Sequence, residues 1–102
     1  MTTEKRATDV LVKYTGPLSF GMFLRAARTS LDLTQPEMGK LLGISKANVC
    51  DIEKGRQLVA PELAKKIAKK SGLSEKLAVQ ACLQDLLKQA KIKYEVKLIE
   101  AS

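Results

Sequence analysis

Apolar residues recur every three or four positions through most of this chain, and every second position only near its end. Phe20, Phe23, Leu24, Ala27 and Leu31 share one helical face, and Ser19 before them is an N-cap, so the spacing predicts a helix over 20–30. Gly21 weakens it slightly. Thr34 opens a second helix. Thr34 and Glu37 form a capping box, in which the Thr hydroxyl takes a backbone N–H and Glu37 reaches back. Pro36 is tolerated in that first turn, where N–H groups have no intrahelical acceptor. Met38, Leu41 and Leu42 make the buried stripe, and Gly43 ends the helix. Ser45 caps a third helix over 46–53, ended by Gly55. A fourth runs over 60–70, with Pro61 in its first turn. Its Leu63, Ala64, Ile67 and Ala68 face inward, and Lys65, Lys66, Lys69 and Lys70 make a solvated face.

A fifth, longer helix starts at Ser74-Glu75 and reaches Ala90. Leu77, Ala78, Ala81, Cys82, Asp85 and Leu86 cover one of its faces. Val79, Leu83, Leu87 and Ala90 make a second apolar strip, a width that suggests burial on two sides. The period then changes. Ile92, Tyr94, Val96 and Leu98 alternate with Lys91, Lys93, Glu95 and Lys97, which predicts a half-buried strand over 92–99. No other segment reads as a strand. A lone strand must pair with another chain, pack without pairing, or stay disordered. Ahead of the break at Thr15-Gly16-Pro17 lies an arm, residues 1–17, in which Ala7, Val10, Leu11 and Tyr14 share a face and allow a short helix. The pattern thus predicts an all-α fold of five helices with a short C-terminal β-strand extension. Its divisions are an arm (1–17), a helical domain (18–72) and a helix-plus-strand extension (73–102).

The second and third helices, joined by the tight turn Leu42-Gly43-Ile44-Ser45, have helix-turn-helix spacing. Met38, Leu42, Ile44, Val49 and Ile52 stand at the five positions that must be apolar for the two helices to cross. The third helix then presents Lys46, Ala47 and Asn48, for which its inner face has no use.

The stretch LRAARTSLDLTQPEMGKLLGISKANVCDIEKGR resembles the Cro/repressor-type (Xre) helix-turn-helix family, whose members usually carry LTQ.ELA..LGIS...VS.IE.G after an arginine. The resemblance covers about residues 20–72. Gly39 replaces the usual alanine and Cys50 the usual serine. The resemblance implies a lambda repressor-like fold and a third helix in the DNA major groove. Lys46, Ala47 and Asn48 would then face base edges. Lys46 suits guanine O6/N7, Ala47 a thymine methyl, and Asn48 adenine. Asp51 would accept from cytosine or exclude other bases. Gln35 would grip a phosphate at the N-terminus of the second helix, or reach a base. Lys54, Arg56, Lys40, Arg25 and Ser45 are candidate phosphate contacts. By the same resemblance Arg28 and Glu53 form an internal ion pair that locks the first helix to the third.

Composition sharpens this picture. Formal charge is +7, from 18 Lys+Arg against 11 Asp+Glu, which favours an anionic partner. The positive charge is mostly lysine, better suited to phosphates than to base edges. A chain of 102 residues is one small domain that buries only about 60–65% of its unfolded surface, so a second subunit is plausible. The two cysteines are distant and there is no histidine, which suggests a reducing cytosol and neither a zinc site nor a disulfide framework. No nucleophile–base arrangement, close carboxylate pair or phosphate loop is present, so no enzyme, cofactor or metal is expected. There is no apolar run of signal-peptide or membrane-span type.

The expected function is a cytoplasmic, dimeric repressor, of bacterial or phage origin, on a palindromic double-stranded operator. The dimer would be made by Leu83, Leu87, Ile92, Tyr94, Val96 and Leu98, either by strand pairing across a two-fold axis or by addition to a partner's sheet. Size and layout also resemble antitoxins of the HigA type, which by family hold a small RNA-cleaving toxin inactive. The competing reading is a protein-interaction module that keeps the fold without specific DNA binding.

Overall fold

Among the described residues, five α-helices packed on one core satisfy the helical periodicity. In the computed structural model, which describes residues 19–101, these are α1 (Phe20–Ser30), α2 (Gln35–Leu42), α3 (Lys46–Glu53), α4 (Pro61–Ser71) and α5 (Glu75–Gln89). The expected N-terminal arm lies outside the described residues. Side-chain oxygens cap four of the helices: Ser19 accepts from Met22 N–H, Thr34 from Glu37 N–H, Ser45 from Asn48 N–H and Ser74 from Leu77 N–H. The capping box of α2 is complete. Its hydrogen bonds from Thr34 hold the Glu37 carboxyl below the ordinary value of 4.5.

The core contains Phe20, Phe23, Leu24 and Ala27 of α1, Met38 and Leu42 of α2, Val49 and Ile52 of α3, and Ala64, Ile67 and Ala68 of α4. Ala78, Ala81 and Cys82 of α5 belong to it as well. The first half of α5 is therefore a wall of the same core that α1 and α4 build. Leu41, assigned to the buried stripe of α2, is 36% exposed. Leu77 and Leu86 of α5 are also exposed; the small residues Ala78 and Ala81 face the core instead and let the helices approach.

Two glycines are fixed by close packing. A Cβ on Gly21 would sit 2.6 Å from both the Ile52 and the Glu53 carbonyl oxygens, so glycine lets α1 rest directly on the end of α3. A Cβ on Gly39 would sit 2.6 Å from the Ile44 oxygen. Glycine in place of the family's alanine thus has a steric reason here: α2 runs against the backbone of its own following turn.

Several polar groups that the sequence pattern placed elsewhere tie helices together. The Asp85 Oδ2 accepts from the Phe20 N–H at 2.9 Å, so a residue of α5 satisfies the open N-terminus of α1. Lys66, expected on a solvated face, donates from Nζ to the Leu42 carbonyl at 2.9 Å and so closes the C-terminus of α2. The Cys82 thiol donates to the Val59 carbonyl, 2.7 Å away. Burial pushes the Cys82 thiol up from its ordinary value.

The expected strand over 92–99 is not formed. No strand occurs among the described residues. The tail lies without regular structure along α5, where the side chains of Gln80 and Gln84 take three of its backbone groups. An alternating pattern needs a neighbouring strand to become a ladder, and the fold offers a helix instead. Of the tail's apolar residues only Val96 and Leu98 are half-buried; Ile92, Tyr94 and Ile99 are 44%, 75% and 89% exposed.

Gly21→Ala should lower stability by about 1–3 kcal/mol, as overpacking does, despite alanine's better helix propensity; urea unfolding measures it, and an unchanged midpoint would contradict the contact. Asp85 supplies a second prediction. Burial raises its carboxyl above the ordinary 3.8, an effect only partly offset by the hydrogen bond from Phe20. The folded chain therefore holds this proton longer than the unfolded chain, and the contribution of Asp85 to stability falls as pH rises from 3.8 through the raised value. Asp85→Asn should remove that fall, so the variant gains on the natural chain between pH about 4 and neutrality. Parallel thermal melts across that window test it.

Candidate nucleic-acid interface

Gly43, with φ 75°, turns the chain sharply between α2 and α3. The Ile44 N–H returns to the Gly39 carbonyl at 2.9 Å, which closes the end of α2. Ser45 then starts α3 at once. Four of the five lock residues, Met38, Leu42, Val49 and Ile52, are buried, and Ile44 packs half-buried at the edge. With Val49 and Ile52 turned inward, helical geometry leaves the start of α3 outside. Lys46 and Ala47 are exposed and Asn48 is half-buried. The side chains of Lys46 and Asn48 have no hydrogen-bond partner among the described residues. The Asn48 backbone N–H is used by Ser45 at 3.0 Å, which steadies this turn and engages the Ser45 hydroxyl.

Behind this surface lies an ion pair. Arg28 Nε donates to Glu53 Oε2 at 2.7 Å, and a second guanidinium nitrogen donates to Oε1 at 3.1 Å. The side chains are 18% and 6% exposed. Arg28 also donates to the Leu33 carbonyl at 3.0 Å, in the turn before α2. Gln35 joins them, its Nε2 donating to Glu53 Oε1 at 3.3 Å. One carboxylate on α3 thus receives donors from α1 and α2. That bond gives Gln35 a role the sequence did not reveal: one of its two amide N–H groups is engaged by Glu53, while the second N–H and the amide oxygen have no partner among the described residues.

The remaining site residues are spread over α1, α2, α3 and its C-terminal end, α5 and the tail. Arg25, Lys40, Lys54 and Arg56 are exposed. Asp51 is half-buried and stands 4.0 Å from the Arg56 guanidinium, a loose pair in solvent. The Arg56 N–H donates to the Asp51 carbonyl at 2.8 Å, so Arg56 is fixed at the C-terminal end of α3. Cys50 is half-buried and unpaired with Cys82. Leu83, Leu87, Val96 and Leu98, assigned to a partner surface, are half-buried on α5 and the tail, while Ile92 and Tyr94 are exposed.

The family model of a helix-turn-helix domain matches residues 19–80, more than half of the chain. The chain belongs to the helix-turn-helix domain family. The match begins at the Ser19 cap and runs into α5, over the elements that build the core. Its function class is that of DNA-binding regulators, in agreement with the Cro/repressor-type resemblance of the sequence. No curated protein and no solved structure matches the chain. No helix of the described residues is long and apolar enough to cross a membrane.

Removing one partner of the ion pair leaves the other without compensation. Glu53→Ala should destabilise the fold by about 3 kcal/mol, at the low end for buried pairs. Guanidinium unfolding reads this directly, and a loss below about 1 kcal/mol would show the pair to be worth no more than a surface one.

Proposed function

We propose that this protein is a sequence-specific transcriptional repressor that binds a palindromic operator as a dimer. The reading rests on one observation: α3 is held from behind by the apolar lock and the Arg28–Glu53 pair, while Lys46, Ala47 and Asn48 stand at its exposed start. Docked in a major groove, Asn48 reads adenine through its paired amide donor and acceptor, and Lys46 donates to guanine O6 or N7. Ala47 meets a thymine methyl, and Asp51 accepts from cytosine N4 or excludes other bases. Gln35, with one N–H held by Glu53, keeps a second N–H for a phosphate and an acceptor oxygen for a donor on a base edge. Of the first turn of α2, the Gln35 backbone N–H remains for a phosphate, since Pro36 has no N–H and the Glu37 N–H is held by Thr34. Arg25, Lys40, Lys54 and Arg56 add phosphate contacts around the reading residues, with Ser45 beside them.

A single reading head buries little DNA. Two heads on half-sites about 34–36 Å apart supply the missing affinity. The outer face of α5, with Leu83 and Leu87, and the tail with Ile92, Tyr94, Val96 and Leu98 make the dimer. A net charge of +7 supports the duplex partner through counterion release. An antitoxin role has only the layout of the chain behind it, and no described residue carries it, so the repressor is the function proposed.

A gel shift against a duplex selected from a random pool tests this. Asn48→Ala should cost about 1–3 kcal/mol on the selected site and relax preference at one base pair. Lys54→Ala should weaken every duplex alike and flatten the salt dependence by about one phosphate's worth. Binding that is indifferent to salt, or an Asn48→Ala protein with unaltered sequence preference, would favour the protein-interaction module instead.

A further inference from the structure

Gln84 treats the C-terminal tail as a neighbouring β-strand would. Its side-chain Nε2 donates to the Tyr94 carbonyl at 2.9 Å, and its Oε1 accepts from the Val96 N–H at 2.8 Å. A strand residue offers its neighbour a similar pairing, one donor and one acceptor from a single position. One helical turn earlier, Gln80 Oε1 accepts from the Leu98 N–H at 3.4 Å. Gln80 and Gln84 are four residues apart and share a helix face with Leu83 and Leu87. The tail positions they hold, 94, 96 and 98, follow the two-residue period of an extended chain running antiparallel to α5. These bonds go to tail backbone alone. Val96 and Leu98, the tail's half-buried residues, lie in the same register.

The link between helix and tail is a turn at Lys91. Ile92 N–H returns to the Leu87 carbonyl at 2.9 Å and Lys91 N–H to the Lys88 carbonyl at 3.1 Å, the pattern of a Schellman C-cap. Among the described residues, three other helices end on glycine at the left-handed position, namely Gly43, Gly55 and Gly72, and α1 ends on Asp32 with φ 56°, a residue type that tolerates that region. Here the residue is Lys91, with φ 59°, a conformation that ordinary side chains seldom adopt. Extending Lys91 relieves that turn and swings residues 92–101 away from their own helix. A short strained hinge followed by a segment with a self-complementary docking face is the arrangement that exchanges between copies.

We infer that the Gln80–Gln84 face of α5 is a strand-reading site which takes residues 92–99 of a second copy of this chain in exchange for its own, with Lys91 as the hinge. The occupant is already shown to fit, because the closed tail makes the same contacts that an exchanged tail would make. The inference deepens the dimer proposed above and rests on that reading.

Two measurements on the full chain separate the exchange from the dimer. Sedimentation equilibrium should give a dimer whose dissociation constant rises about tenfold in Lys91→Gly, which relaxes the closed turn, and falls about tenfold in Lys91→Val, which a β-branched side chain opens. Isotope-filtered NMR on a mixture of labelled and unlabelled chain should then show contacts between the Gln84 side chain of one copy and the Val96 N–H of the other, contacts that Gln84→Leu abolishes. A dimer with all Gln84–Val96 contacts inside one copy overturns the exchange and leaves the dimer intact. A chain that stays monomeric at millimolar concentration, as natural protein and as Lys91→Val, overturns both.

Discussion

Three helices are fastened to one another at the Glu53 carboxylate. Arg28 reaches it from α1 through two hydrogen bonds, and Gln35 reaches it from the first position of α2. Arg28 also grips the Leu33 carbonyl, so the turn between those helices is held by the same guanidinium. A pair of this kind contributes little net stability beyond what a well-packed apolar pair would give. Its contribution is directional. The planar guanidinium meets the carboxylate through two hydrogen bonds, which is more specific than a single contact and restricts the rotation of α3 about its axis.

That direction matters because α3 has only eight residues. An isolated helix of that length does not persist in water. Its order comes from Val49 and Ile52 in the core, from the Ser45 cap and from α1 lying against its end at Gly21. The residues that face solvent are therefore free of structural duty, and their chemistry is available to a partner. Lys46, Asn48 and Asp51 are the polar members of that set, in a chain with an excess of positive charge. Gln35 divides its amide between the two duties, with one N–H on Glu53 and its other polar groups left for a partner.

Helix positions were legible in the sequence because their signals are local. Ser19, Thr34, Ser45 and Ser74 mark starts that the structure uses as caps, and Gly43 marks the turn. Contacts that join distant residues left no such trace. Asp85 sits within an apolar helix face, and nothing near it in sequence indicates that it caps α1. Lys66 belongs to a run of lysines that reads as solvated surface, yet it closes α2. The tail shows the converse failure. Its alternation is genuine, and two half-buried residues follow it, but a strand needs a second strand, and α5 answers with glutamine side chains. Gly39 lies between the cases: the departure from the family's alanine was visible, and the 2.6 Å approach to the Ile44 carbonyl that explains it was not.

The central claim is that the exposed start of α3 is the surface that meets DNA. Backbone amide NMR of the full chain, titrated with a duplex selected from a random pool, tests it most directly. The account predicts that the largest shifts fall on Gln35 and on Ser45 through Asp51, and that they fade as salt is raised. Shifts centred on the lysine face of α4, with Lys46, Ala47 and Asn48 undisturbed, would contradict it.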